Sequence, residues 1–330
     1  MRALALIAAC ILAAVVTASC KEGDHLSGRI ICIDPGHGGT AETDSYRVGP
    51  TGEREEWIDL RVALMLRDIL EARGAKVLLT RTEDVAVELK DRAMLAVENG
   101  ADVFLSIHHN ATADPEANFP VIYFHGNASE NKAGVALGRI LASRLANALF
   151  AGKTTPSIVS DHAIFPGSGA AVLRNSYGIP GAIGEASFFT KPDEEERLRD
   201  AEYNRREAEA YVAALAEFFA HPIPPIIDKG SLVTVEPFEV FEEDERTRAI
   251  AKQWKENWLA GCAAQKVDTL DALNEALNLF TLSARSFPDS WIAGDCHRRR
   301  AEILEALGHR EDAAMERLRA EEHYVPLEEE

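Results

Sequence analysis

The chain has 330 residues, which is enough for one sizeable domain and a smaller one. Its composition, 46% hydrophobic and 27% charged, is that of a folded protein and excludes a largely disordered chain. The formal net charge of −19 argues against a nucleic-acid partner, because a phosphate backbone requires a basic surface.

Residues 1–19 are predicted to form a lipoprotein-type signal peptide. One arginine precedes an apolar run from Ala3 to about Ala18, and the run ends in small residues, as secretory signals do. The sequence Thr17-Ala18-Ser19-Cys20 resembles a bacterial lipid-attachment motif, which predicts export and a membrane anchor through a lipid on Cys20. An uncleaved membrane anchor is the alternative, although the run is slightly short for a spanning helix. No later apolar run is expected to cross a membrane.

The segment 27–220 has the pattern of an α/β domain, because strand-like apolar runs alternate with stretches of helical period. Strands are predicted over 29–34, 75–81, 101–109, 121–125 and 181–187. Helices are predicted over 55–74, 87–100, 131–150 and 193–219.

A small all-α domain of helical hairpins is predicted to follow. Residues 221–244 are rich in proline and acidic side chains and predict a linker. Residues 245–330 are predicted to be helical and similar to tetratricopeptide repeats. Either a repeat unit or an ordinary helical hairpin would bind a protein partner or pack on the first domain. Cys262 and Cys296 lie in this region, and whether they pair is left open.

Four polar side chains lie where ligands gather in an α/β sheet, at the ends of strands and the start of a helix. His37 and His108 end strands, Glu55 opens the first helix, and Glu185 lies inside the apolar run "IPGAIGEASFF". Two histidines and two glutamates fit a hydrolytic zinc site, which needs three ligands and a carboxylate that accepts a proton. Each residue alone has a simpler interpretation. A lone histidine is often a packed or surface residue, and Glu55 favours a helix N-terminus.

Several spaced motifs resemble the zinc-dependent N-acetylmuramoyl-L-alanine amidases of the type 3 class, which are bacterial cell-wall hydrolases. The motifs are "IDPGHGG", "GEREEWIDL", "LLTRTEDVAVELKDRAMLAVENGADVFLSIHHNA" and "AVLRNSYGIPGAIGEASFF". The resemblance implies a mixed central sheet flanked by helices, with His37, Glu55 and His108 binding Zn²⁺ and Glu185 as the catalytic carboxylate. It also implies hydrolysis of the amide between N-acetylmuramic acid and L-alanine of the peptidoglycan stem, in cell-wall remodelling or daughter-cell separation. The expected location is the cell envelope or periplasm.

Other polar residues of this segment are given structural interpretations. Asp59 stands where the family usually has asparagine. His109 is expected on the opposite face of its strand from His108, at the surface or behind the site. His125, His162 and Arg174 could line the cleft, but we expect structural roles for all three.

Two other functions stay open at this point. One is a zinc peptidase that cuts within the peptide stem. The other is a lipid-anchored scaffold that binds peptidoglycan and recruits a partner through its C-terminal helices.

Overall fold

The computed structural model describes residues 24–39, 47–241, 249–267 and 269–326. The predicted signal peptide and the lipidation site at Cys20 lie outside these residues, so both stay predictions.

A six-stranded sheet forms the centre of the α/β domain. Its strands are β1 (Ile30–Pro35), β2 (Lys76–Leu79), β3 (Val103–Asn110), β4 (Val121–Phe124), β5 (Ser157–Ser160) and β6 (Gly181–Phe188). The strand order is β2-β1-β3-β6-β4-β5, and all neighbours are parallel except β4 and β6. The predicted mixed sheet is therefore confirmed. Strand β5 was not predicted, because it is a four-residue edge strand with only two apolar residues.

Helices cover both faces of this sheet. Its central strands are therefore buried on both sides and consist of nearly continuous apolar residues. The helices are α1 (Glu55–Ala72), α2 (Leu89–Glu98), α3 (Lys132–Phe150), α4 (Ala171–Asn175), α5 (Pro192–Leu198) and α6 (Ala201–Ala220). Helices α1, α3 and α6 contribute to one hydrophobic core with the sheet, and α2 and α4 contribute to another. The single helix predicted over 193–219 is wrong, because Asp200 breaks it and caps α6 by accepting a hydrogen bond from the Glu202 N–H.

Helix α3 contradicts only the reason given for the expected absence of a later membrane span, which was that no later apolar run is long enough. Lys132–Phe150 is long and apolar enough by length and composition, with a mean hydropathy of 1.2, but half of that window is buried within the protein. Its apolar side packs on α6, β4 and β6, as expected of a core helix.

The C-terminal region is helical, as predicted. Its helices are α7 (Trp254–Ala264), α8 (Leu270–Ser286), α9 (Ala293–Ala306) and α10 (Arg310–His323). Each helix packs against the next, as in successive hairpins. Similarity to tetratricopeptide repeats, a protein partner for these helices and the domain boundaries stay predictions. Cys32, Cys262 and Cys296 are free thiols.

The C-terminal helices share a hydrophobic core with the α/β domain. Trp254, Phe287 and Tyr324 are buried in one cluster together with Phe119 and Phe188. Residues 221–241, within the predicted linker, have no helix. Ile227 donates to the carbonyl of Glu130 in the α/β domain, and Phe241 donates to the carbonyl of Arg285 in the C-terminal helices. The C-terminal region therefore packs on the first domain, which was one of the two possibilities left open.

Candidate active site

The first candidate ligand lies in the turn that follows β1. His37 has φ 56°, in the left-handed region, where a residue other than glycine costs about 1–2 kcal/mol. Just before it, Gly36 donates its N–H to the carbonyl of Ile107 on β3 at 2.9 Å. A Cβ atom at Gly36 would lie 2.4 Å from the His108 ring. Glycine is therefore required here because two strands bring backbone and imidazole into direct contact.

Two buried arginines hold this turn in place. Arg81 donates to the carbonyls of Gly36 at 2.6 Å and Glu56 at 2.7 Å, so it joins the residue before His37 to the residue after Glu55. Arg92 donates to the Asp34 carboxylate at 2.9 Å and to the carbonyl of His37. Both arginines are part of the motifs in the sequence, but their function there was not predicted.

The structure brings the three predicted metal ligands together at one point. Nε2 of His37 lies 2.8 Å from Oε1 of Glu55 and 3.0 Å from Nδ1 of His108, and that Nδ1 lies 2.9 Å from the same Oε1. The histidine rings meet edge to face with centroids 4.6 Å apart. Two imidazole nitrogens and a carboxylate oxygen that converge in this way are a donor set that suits a divalent metal such as zinc.

The charges of these three side chains depend on one another. Burial opposes ionisation of Glu55, but His37 and His108 beside it hold the pKa of its carboxyl well below the usual range. Burial lowers and Glu55 raises the pKa of His37, with a net upward shift. Burial and the neighbouring His37 lower the pKa of His108, which favours the neutral, ligating form of that imidazole.

Glu185 lies beside this group, on the neighbouring strand. Its position on β6 is paired in register with His108 on β3, and its side chain lines the same cavity. Its Oε2 is buried without a hydrogen-bond partner among the described residues. Burial first, and then the charges of Glu55 and Asp59, raise the pKa of Glu185 well above its usual value. A carboxyl group in such surroundings can hold a proton near neutral pH and exchange it with a ligand.

A buried network of charged side chains, which was not predicted, lies behind the ligands. His109 is buried behind the site, which is one of the two positions expected for it. Its Nδ1 lies 2.9 Å from Oδ1 of Asp59, and its Nε2 lies 3.1 Å from Oε2 of Glu207. Burial opposes protonation, yet Glu207 and Asp59 raise the pKa of His109 well above its usual value. Asp59 also lies close enough to His37, Glu55 and His108 for all four to hold one metal ion. The sequence does contain an indication of this network, because Glu207 is an acidic residue among the apolar, buried positions of α6.

The structural roles expected for His125, His162 and Arg174 stay predictions. His125 Nδ1 lies 2.8 Å from Oδ2 of Asp161, and Lys229 Nζ lies 3.2 Å from His125 Nε2. His125, Asp161 and His162 form a second group that could hold a metal, but the N–H of Ala170 also donates to Asp161 Oδ2 at 2.7 Å. Arg174, on α4, donates to two carbonyl oxygens of the preceding turn.

The candidate ligands and Glu185 open into one cavity of about 620 Å³. The C-terminal ends of β3 and β6 and the loop after β3 form much of its wall. Two residues from outside the α/β domain, Lys252 and Asp289, also line it. The C-terminal region is therefore part of the wall of this site.

Comparisons with known proteins agree with the geometry. Residues 31–217 match the family described as N-acetylmuramoyl-L-alanine amidase (Amidase_3). The chain is 28% identical over 225 residues to the N-acetylmuramoyl-L-alanine amidase AmiA of Salmonella typhimurium, covering 58% of this chain and 77% of that protein. It is 29% identical over 216 residues to the germination-specific amidase of Bacillus subtilis, covering 61% and 84%.

A solved structure shows the same fold. The N-acetylmuramoyl-L-alanine amidase AmiC2 of Nostoc punctiforme has a TM-score of 0.51 and 28% sequence identity, covering 59% of this chain and 99% of that chain. The family match extends over more than half of the 330 residues. This chain therefore belongs to the N-acetylmuramoyl-L-alanine amidase family, and it is an enzyme that acts on peptidoglycan.

Proposed function

We propose that this enzyme is a zinc-dependent hydrolase of the amide between N-acetylmuramic acid and the L-alanine of the stem peptide. In this proposal His37, Glu55 and His108 bind Zn²⁺ and Glu185 is the catalytic carboxylate. The observation that supports it most is the convergence of three ligand atoms within 3.0 Å of one another, beside a buried carboxyl group in the same cavity.

The donor set fits zinc, whose catalytic sites commonly use histidine nitrogens and a carboxylate oxygen and keep one position open. When bound, the metal would supply a Lewis acid that polarises the scissile carbonyl and lowers the pKa of water. Asp59 lies within the same group, and its Oδ1 is 2.9 Å from His109 while its Oδ2 is buried without a hydrogen-bond partner among the described residues. The motifs favour His37, Glu55 and His108 as the ligands. The backbone N–H of His109 donates to Oε1 of Glu55 at 3.3 Å and so orients that ligand.

Glu185 would move the proton during hydrolysis. Its carboxylate accepts a proton from the attacking water, and its carboxyl form then donates that proton to the amine of the departing L-alanine. Oε2 of Glu185 is buried without a hydrogen-bond partner among the described residues, and the pKa of this carboxyl is raised. Both properties suit a group that holds the proton between these two steps. No serine or cysteine nucleophile is needed for this reaction.

Export and membrane attachment are also part of the proposal. The signal peptide over residues 1–19 and the lipid on Cys20 would place the enzyme on a membrane surface of the cell envelope, next to its substrate. Cys20→Ser should move the protein from the membrane to the soluble fraction of the envelope. Unchanged membrane attachment of that variant would reject the lipid.

The test of the proposed chemistry compares the wild-type chain with Glu185→Gln. The variant should keep one equivalent of zinc, measured by mass spectrometry, while its turnover of purified peptidoglycan falls by about 10²–10⁴-fold. Fragment analysis should detect free stem peptides with a new L-alanine amino terminus from the wild type.

Glu130→Gln is a control, because Glu130 is a buried carboxylate that accepts backbone N–H bonds outside the cavity. It should keep activity. Cleavage within the stem peptide would instead indicate a peptidase, and wild-type activity in Glu185→Gln would reject the assigned carboxylate.

A further inference from the structure

The turn between α8 and α9 reaches the catalytic cavity and is firmly anchored. Phe287 at its start packs against the rings of Phe119 and Phe188, with centroids 5.8 and 5.9 Å away. The hydroxyl of Tyr324 donates to the carbonyl of Pro288 at 3.0 Å. The turn is therefore held by the shared core of the two regions.

Asp289 is the residue of this turn that enters the cavity. It is 5% exposed, and its Oδ2 accepts hydrogen bonds from Nδ2 of Asn110 at 3.3 Å and from the hydroxyl of Tyr123. Asn110 lies on β3 two residues after His108, and Tyr123 lies on β4. Asp289 is thus fixed beside the strands that carry the candidate ligands and Glu185.

The Asp289 carboxylate has no cationic partner within the described ranges. Both of its hydrogen-bond donors are neutral, and both bind the same oxygen, Oδ2. Burying a carboxylate without a counter-charge is costly. Because Asp289 lines the cavity, its Oδ1 remains available to a ligand, and the missing positive charge can come from the substrate.

The C-terminal region shapes the same cavity at two further points. Lys252, just before α7, lines it. Trp254 donates its indole N–H to Oδ2 of Asp114 at 2.9 Å, which fixes the loop after β3. Residues 111–113 of that loop also line the cavity. The helices therefore position the wall of the cleft as well as contributing to it.

We propose that the C-terminal helical region completes the substrate cleft and that Asp289 binds a cationic amine of the peptide stem. This inference rests on the proposed amidase function and adds which part of the substrate the cleft selects. A carboxylate favours an ammonium over a neutral donor, because charge-assisted hydrogen bonds are shorter and stronger. Glycan hydroxyls and amide N–H groups would gain much less from Asp289.

The test uses two synthetic muramyl peptides that differ only at the side-chain amine of a diamino acid in the stem, which is free in one and acetylated in the other. For the full wild-type chain, KM should be lower for the free amine by at least about tenfold. In Asp289→Asn the ratio of the two KM values should fall to about one. Asparagine keeps a side-chain oxygen that Tyr123 and Asn110 can bind.

A matched control is Asp295→Asn on α9, because Asp295 pairs with Arg299 and does not line the cavity. This variant should keep the wild-type preference. An unchanged preference in Asp289→Asn would overturn the proposal. An equal loss with both peptides would also overturn it, because it would indicate a structural role or a neutral donor.

Peptide binding, measured by calorimetry, tests the role of Asp289 independently of the proposed hydrolysis. Both peptides would be titrated into Glu185→Gln, with and without Asp289→Asn. A preference for the free amine that disappears with Asp289→Asn supports the role of Asp289 even if the wild type hydrolyses neither peptide. Equal affinity for both peptides in Glu185→Gln overturns that role whatever the wild type hydrolyses.

Discussion

At the scale of single residues, the candidate metal site depends on one close approach. The backbone of Gly36 lies against the ring of His108, and Gly36 also donates to the carbonyl of Ile107. The two imidazoles therefore meet only because the turn after β1 has no side chain at this position. The glycine-rich motif supplies the space for a ligand from another strand.

Gly36→Ala should weaken metal binding without unfolding the protein. The new Cβ would lie 2.4 Å from Cε1 of His108, so the imidazole must move away from His37 and Glu55. We expect zinc affinity, measured by competition with a chromogenic chelator, to fall by about 10–100-fold. Gly181→Ala is the control, because its Cβ would meet its nearest atom at an ordinary 3.4 Å. Equal zinc affinity in the two variants would contradict this account.

At the scale of secondary-structure elements, the site depends on hydrogen bonds that connect the turn after β1 with the start of α1. The turn after β1 and the start of α1 each supply a candidate ligand. Arg81, just after β2, binds the carbonyls of Gly36 and Glu56 and so fixes the distance between the two elements. A planar guanidinium can satisfy several carbonyls in fixed directions, whereas an ammonium cannot span them in the same way.

Arg81→Lys should therefore loosen the site and destabilise the fold. The buried carbonyls of Gly36 and Glu56 would lose a donor, whereas that of Pro35 keeps the hydrogen bond from Arg92. Each carbonyl left unsatisfied would cost about 1–3 kcal/mol in the free energy of unfolding. Urea unfolding and zinc stoichiometry would measure the two effects. Arg67→Lys on the exposed side of α1 should change stability by less than about 0.5 kcal/mol. Similar results for both variants would show that Arg81 does not tie the elements together.

At the scale of the whole molecule, the two regions meet through histidines as well as apolar side chains. His323 near the end of α10 is 4% exposed, and its ring lies 5.8 Å from that of His162 after β5. Burial, followed by the charges of His162, Arg319 and His297, lowers the pKa of His323 to about 3. Its Nε2 has no hydrogen-bond partner in the described part of the chain. The interface therefore favours the neutral imidazole.

Acidification should weaken this interface. The pKa of His323 is lower in the folded chain than the 6.5 of an unperturbed histidine, so its stabilising contribution is complete above pH 6.5 and is lost as the pH falls toward 3. Between pH 7 and pH 5 the loss should be about 2 kcal/mol in the free energy of unfolding. Urea unfolding at pH 7 and at pH 5 would measure this loss. In His323→Leu the loss should be smaller than in the wild type by about 2 kcal/mol.

The control for this prediction is the exposed His221, and His221→Leu should keep the wild-type pH dependence. If His323→Leu lost stability between pH 7 and pH 5 as steeply as the wild type, His323 would not be the titrating group.

Much of the α/β domain was predictable from local pattern, because apolar runs bounded by turn residues specify strands and helices directly. The predictions failed where that signal is short or interrupted. Strand β5 has four residues and forms only because β4 offers an edge. The break between α5 and α6 depends on the capping side chain of Asp200 within an otherwise helical pattern. Neither feature changes the hydrophobic period, so periodicity could not reveal them.

The identity of the candidate ligands came from linear motifs, since His37, Glu55, His108 and Glu185 each lie in a recognisable turn or strand end. A linear motif can reveal a candidate ligand because the ligand and the turn or strand end that positions it are adjacent in sequence. The partners of His109 and the entry of Asp289 into the cavity were not predictable in this way. Asp59, Glu207 and Asp289 meet the site from α1, α6 and the C-terminal helices, and long-range packing alone brings those elements together.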